Sequence, residues 1–189
     1  MVILIGGVGY AGKTYMAQQL LEKYHYPYLS IDHLKMGLYR ASIGCGFTPQ
    51  DSIEQIGEAL WPILKGIIMT NIENEQNIII EGAYLLPDKI NALDESYHKH
   101  IISFYLCFSE VYIQHYFETK VLHYRCAIEA RGYENSDTIA DYIADNQKQK
   151  HLCEKYDARF FEIQDDYHEE MNAVYDWIDR MVAAQSLRS

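Results

Sequence analysis

Residues 1–20 read MVILIGGVGYAGKTYMAQQL. An apolar, β-branched run opens directly into four glycines, at positions 6, 7, 9 and 12, and then into Lys13 and Thr14. The run shows no polar alternation, so residues 1–6 are predicted to form a strand buried on both faces. Residues 13–24 carry apolar positions at Met16, Leu20 and Leu21 and predict a short helix. Between the two, Gly7-Val8-Gly9-Tyr10-Ala11-Gly12-Lys13-Thr14 fits G-x-x-x-x-G-K-[ST]. Glycine permits positive φ and close backbone approach. Successive N–H groups can therefore turn inward and cradle a polyphosphate, with the positive end of the next helix behind them. Lys13 then supplies a charge at the β/γ-phosphates, and the Thr14 hydroxyl can bind Mg²⁺. A chance match arises about once in a hundred chains of this length, and here the strand and helix that the motif requires flank it. The loop predicts a nucleoside triphosphate site and leaves the acceptor open.

Further along, YPYLSI at 26–31, Ile78–Ile80, His100–Phe108 and Arg159–Ile163 read as four more strands. Helical spacing links Ile53, Ile56, Leu60, Leu64, Ile67 and Ile68. Thr48-Pro49 reads as the cap and first position of that helix, with Asp51 in its first turn. Pro62 is expected to kink or split it. Val111–Ala130 and Thr138–Tyr156 are predicted helices. A last one carries Met171, Val174, Tyr175, Ile178, Met181 and Val182 as one stripe, accounted for by packing on a sheet. Strands alternating with helices imply an α/β protein with a parallel sheet covered on both faces. The connections Asp32–Asn77 and Ser109–Ala158 exceed what crossover helices need, and such excess builds flaps at the strands' C-terminal edge. No repeat, low-complexity tract or linker divides the chain, so residues 1–189 read as one domain.

The chain carries 16 basic against 27 acidic residues, a formal net charge of −11. That excess repels a phosphate backbone and argues against a nucleic-acid partner. No run approaches the roughly 18 apolar residues of a membrane span. With the first strand starting at Met1, no signal peptide is expected. Cys45, Cys107, Cys126 and Cys153 form no C-x-x-C pair, so zinc and dithiol chemistry are not indicated. The expectation is a cytoplasmic protein with free thiols.

Candidate residues around the phosphates follow from position. Asp32 falls at the C-terminal end of the second strand, the edge that carries the loop. There a carboxylate can take a proton from an acceptor hydroxyl or help hold the magnesium shell; the plainer alternative is a helix N-cap. Arg40 can pair with an anionic acceptor in bidentate fashion, whereas Lys35 reads as a solvated side chain. Glu81 follows the third strand, where an acidic residue can hold Mg²⁺ through water. Arg125 and Arg131, in the long connection before the last strand, can close over a transferring phosphoryl group or lie exposed on a helix. His33 reads as a bystander.

In order and combination these segments resemble the P-loop small-molecule kinases, the group that includes nucleoside monophosphate kinases, shikimate kinase, chloramphenicol phosphotransferase and zeta-toxin-type kinases. LSIDHLKMGL and IIIEGAYLLP look most like 2-phosphoglycerate kinase-type proteins, and the resemblance covers residues 1–90. It implies an adenylate kinase-like fold: a five-stranded parallel sheet with helices on both faces, an acceptor-binding flap over 33–76 and a lid over about 120–136. It implies that Gly7 to Thr14 bind ATP phosphates and magnesium, that Asp32 activates or orients the acceptor, and that Glu81 serves the metal shell. The D-G-[FY]-P-R segment of monophosphate kinases is replaced by Glu81-Gly82-Ala83-Tyr84-Leu85. The expected activity is ATP-dependent transfer of the γ-phosphoryl group to a hydroxyl of a small, anionic metabolite, a sugar-nucleotide acceptor being one variant. The alternatives are a nucleotide or nucleoside kinase, or a non-catalytic NTP-binding switch, against which the pair Asp32 and Glu81 argues. No N-K-x-D segment is present, so ATP is the default triphosphate.

Overall fold

In the computed structural model, five parallel strands form one sheet in the order β2-β3-β1-β4-β5. They are β1 (Val2–Gly7), β2 (Tyr28–Ser30), β3 (Ile78–Glu81), β4 (Ile101–Phe108) and β5 (Phe160–Ile163). The structure describes residues 1–41, 44–124, 128 and 138–187. Each predicted strand forms, within two residues of its expected ends.

The central strand β1 is buried along its whole length. Its side chains alternate between two cores. Ile3 and Ile5 pack with Met16, Leu20, Val174 and Ile178 on one face. Val2 and Leu4 pack with Ile56, Leu60, Leu64 and Ile68 on the other. The first face is covered by α1 (Lys13–Tyr24) and α8 (Tyr167–Ser186), the second by α3 (Ile53–Glu73). Such two-sided burial explains why β1 reads as an unbroken apolar run, while the edge strands β2 and β5 are only partly buried.

Helix α3 departs from expectation at both marked points. Its N-cap is Ser52, in a reciprocal capping box with Gln55, and Thr48-Pro49 lies outside it. Thr48 instead closes a turn, donating through its backbone N–H and hydroxyl to the Asp51 carboxylate. Two side-chain bonds at Ser52–Gln55 satisfy orphan donors that the Thr48 position leaves free. Pro62 does not split the helix, which runs unbroken from Ile53 to Glu73. The proline is exposed, so water can serve the carbonyl that loses its partner.

The remaining connections are α2 (Ile31–Arg40), two unanticipated short helices α4 (Pro87–Asn91) and α5 (Glu95–His98), α6 (Glu110–Tyr116) and α7 (Ile139–Lys155). The helix expected over Val111–Ala130 is shorter. It ends at Tyr116 and widens into a π-helical turn, Phe117–Leu122. Residues 125–127 and 129–137, most of the expected lid, lie outside the described residues. No helix among the described residues is long and apolar enough to cross a membrane.

Candidate active site

The C-terminal ends of β1, β2 and β3 meet at one edge of the sheet. Register places Ile5 of β1 and Ser30 of β2 on either side of Glu81, the last residue of β3. The loop Gly7–Thr14 leaves β1 at this edge and enters α1. Two glycines are required by its path. Gly7 has φ +116°, and a Cβ there would lie 2.1 Å from the Leu106 carbonyl oxygen. Gly12 has φ +83°, and its Cβ would meet the Tyr167 hydroxyl at 2.0 Å. Val8 and Ala11 are buried, and Tyr10, at the loop's crown, holds a left-handed φ of 60°. Gly12 caps α1 without a side-chain bond, and no acidic residue sits in the first turn. The helix therefore presents its positive end and free amides toward the loop.

Lys13 is buried and donates to the Val8 carbonyl across the loop. Its charge also acts on Glu81, which is 2 % exposed. Burial pushes the Glu81 carboxyl above its usual range. Lys13 and the nearby Ser30 and Thr14 hydroxyls pull it the other way, and Asp32 adds to the rise. Those hydroxyls bias the charge without completing its bonding: Glu81 Oε1 and Ser30 Oγ are both buried with no hydrogen-bond partner. With Thr14 beside them, these oxygens form a hard donor set that fits Mg²⁺. No cage of three or more acidic, His or Cys ligands occurs among the described residues. A magnesium ion shared with phosphates needs only one or two protein ligands.

Asp32 lies in the first turn of α2, whose N-cap is Ser30, so the capping alternative for Asp32 does not hold. Its carboxylate, about one-third exposed, is 3.0 Å from Lys35 Nζ. Lys35 is not the solvated side chain expected from the sequence. It is buried, donates to the Tyr84 hydroxyl at 2.7 Å, and lies 4.9 Å from the Tyr84 ring centroid. Burial would lower the ammonium's proton affinity, but the Tyr84 bond and the Asp32 charge outweigh it, and the pKa is raised. The i,i+3 spacing of Asp32 and Lys35 is a signal the sequence carries; nothing local announces Tyr84. Lys35→Met keeps the stem's volume and removes the ammonium's bond to the Tyr84 hydroxyl. It is expected to cost about 1–3 kcal/mol in urea unfolding, and an unchanged midpoint would show that the ammonium contributes nothing.

Arg40 sits two turns on, at the exposed end of α2. It lines an open depression with Tyr39, Gly44, Cys45, Gly46 and Phe47. At 1.5 Å per residue it is about 12 Å along the helix from Asp32. His33 is exposed on the same helix. Arg125 and Arg131 lie outside the described residues. Cys45, Cys107 and Cys153 are free thiols.

The family model of the zeta toxin matches residues 1–106 of this chain. The chain belongs to the zeta toxin family. The matched span carries the loop, Asp32, Lys35, Tyr84 and Glu81, so the family assignment and the clustered side chains come from the same part of the molecule. Solved structures share the fold over nearly the whole chain. Shikimate kinase from Aquifex aeolicus VF5 is 16% identical, with a TM-score of 0.55 over 97% of this chain and 99% of its own. A gluconokinase from Sinorhizobium meliloti 1021 is 15% identical, with a TM-score of 0.52 over 100% and 97%. Deoxyadenosine kinase from M. mycoides is 16% identical, with a TM-score of 0.51 over 95% and 100%. Comparison with curated proteins yields no match. The five-stranded parallel fold of P-loop kinases therefore extends beyond the 106 matched residues to the C-terminal helix of this member of the zeta toxin family.

Proposed function

We propose that this protein transfers the γ-phosphoryl group of ATP to a hydroxyl of a small metabolite. The observation that carries the reading is the convergence of Lys13, Thr14, Asp32 and Glu81 at the sheet edge where the glycine loop enters α1. Loop amides and Lys13 would hold the β- and γ-phosphates. Thr14 and, through water, Glu81 would hold Mg²⁺, which when bound offsets charge on the phosphoryl oxygens. Asp32, paired with Lys35 and open to solvent on one side, would take the acceptor's hydroxyl proton. Arg125 and Arg131 remain the lid candidates of the sequence.

The acceptor's shape is narrowed by where the cations are. Lys35 is engaged with Asp32 and Tyr84. Arg40 lies about two turns along α2 from Asp32, so an anionic group that it binds on the same acceptor would be set apart from the reacting hydroxyl. An elongated anionic acceptor satisfies this; a sugar nucleotide is one molecule of that shape. Incubation with γ-labelled ATP, magnesium and pooled metabolites is expected to yield a labelled product. Absence of ATP binding in a calorimetric titration would end the reading.

Glu81→Gln is expected to retain ATP binding and lose about 10–100-fold in turnover, the usual cost of removing an outer-sphere metal partner. Stability gives a second readout. The folded-state pKa of Glu81 lies above its unfolded value of 4.5, so the folded protein binds the proton more tightly. Its contribution to stability therefore improves as pH falls from neutral toward 4.5. Wild type should gain on the glutamine variant over that window in urea melts, and parallel curves would refute the burial argument.

A further inference from the structure

The glycine loop is also gripped from outside, by side chains that belong to the far end of the sequence. Tyr142, in the first turn of α7, donates its hydroxyl to the Gly9 carbonyl, 133 residues away. Tyr167, the first residue of α8, donates to the Ala11 carbonyl at 3.4 Å, 156 residues away. Both rings are fixed by other contacts. Tyr142 stacks on Tyr10 at 6.3 Å between centroids and packs on Phe117 at 5.4 Å. Tyr167 stacks on Phe108 at 6.5 Å. Asn146, one turn beyond Tyr142, donates to the Tyr142 carbonyl and accepts from the Phe108 N–H at 2.7 Å. It thus ties α7 to the end of β4.

A trans peptide is planar, so its carbonyl and the next residue's N–H point in opposite directions. The chain contains no cis peptide bond among the described residues. Holding the Gly9 carbonyl toward α7 therefore turns the Tyr10 N–H away from α7. Holding the Ala11 carbonyl toward α8 does the same for the Gly12 N–H. We propose that Tyr142 and Tyr167 are positioning residues for the polyphosphate, clasping the Gly9 and Ala11 carbonyls so that the Tyr10 and Gly12 amides face the phosphate side of the loop. The role rests on the nucleotide reading above. It also explains Gly12 a second way, because any Cβ there would strike the Tyr167 hydroxyl.

The test is calorimetric titration of magnesium ATP, and separately of magnesium tripolyphosphate, into wild type, Tyr142→Phe and Tyr167→Phe. Each variant keeps its ring and loses one hydroxyl. Affinity is expected to fall about fivefold in each, the worth of one hydrogen bond, and by the same factor for both ligands, because the clasped amides meet only phosphate. Tyr97→Phe serves as the control: it deletes a hydroxyl bonded to Glu73 and should leave both affinities unchanged. A purely structural role would lower the melting temperature and leave the affinity of the folded protein intact. Should Tyr142→Phe fail to fold, Tyr167→Phe decides alone. Wild-type affinity in the folded variants overturns the clasp while the nucleotide reading stands. Failure of the wild-type protein to bind either ligand overturns both.

Discussion

Asp32→Asn is expected to lower the rate of phosphoryl transfer about 10²–10⁴-fold, the typical worth of a general base, while magnesium ATP binds nearly as before. The amide keeps the size of the carboxylate and can still accept from Lys35 Nζ, so the geometry at 3.0 Å is retained. It cannot take a proton. Two features of the structure make the split between binding and rate clean. Asp32 belongs to α2 rather than to the loop, and its charge acts on Glu81 at the end of β3. The N-cap of α2 is Ser30, so removing the charge does not uncap the helix. Some stability is still at stake, because buried Lys35 loses the negative partner that helps keep it protonated; about 1 kcal/mol is expected. Transfer rate, ATP affinity and melting temperature measured on one preparation decide the assignment. Wild-type transfer in the variant would remove Asp32 from the chemistry and leave Glu81 and the arginines to be reconsidered.

What the sequence made legible here, and what it did not, follows the distance over which each feature is determined. The phosphate loop is local: its glycines, Lys13 and Thr14 lie within eight residues, and the φ values at Gly7 and Gly12 are those that only glycine adopts readily. The inner strands β1, β3 and β4 were equally readable, since two-sided burial writes an apolar run into each, whereas the edge strands β2 and β5 are only partly buried and carry a weaker signal. Glu81 could be placed because it ends such a run. Lys35 could not. Its burial depends on Tyr84, 49 residues later, which supplies the bond that makes an interior ammonium tolerable. The start of α3 failed for a different reason. Thr48 and Ser52 both carry cap chemistry, and only the reciprocal bond from Gln55 chooses between them. Tyr142 and Tyr167 were hidden among 17 tyrosines; their meaning appears only when α7 and α8 fold back onto the loop.

Lys13 carries the other large effect. Magnesium ATP at about 100 times its dissociation constant should stabilise the wild-type fold by roughly 2.7 kcal/mol. For a chain of this size each kcal/mol moves the melting temperature about 2–4 °C, so a shift of about 5–10 °C is expected. In Lys13→Ala a hundredfold loss of affinity would leave only about 0.4 kcal/mol at the same ligand concentration, and the shift should all but vanish. The substitution has a cost without ligand as well. Glu81, 2 % exposed, loses the cation that most favours its ionised form, so the free variant should melt below wild type. Lys13→Ala combined with Glu81→Gln removes the stranded carboxylate together with the ammonium. It should recover stability without recovering the response to ATP. A double-mutant cycle read in both quantities separates the two jobs of Lys13. Non-additive melting temperatures with the ligand response lost in both lysine variants would mark it as Glu81's counter-charge and the triphosphate's anchor. A full ATP-dependent shift in Lys13→Ala would mean that the loop does not use this ammonium for phosphate at all.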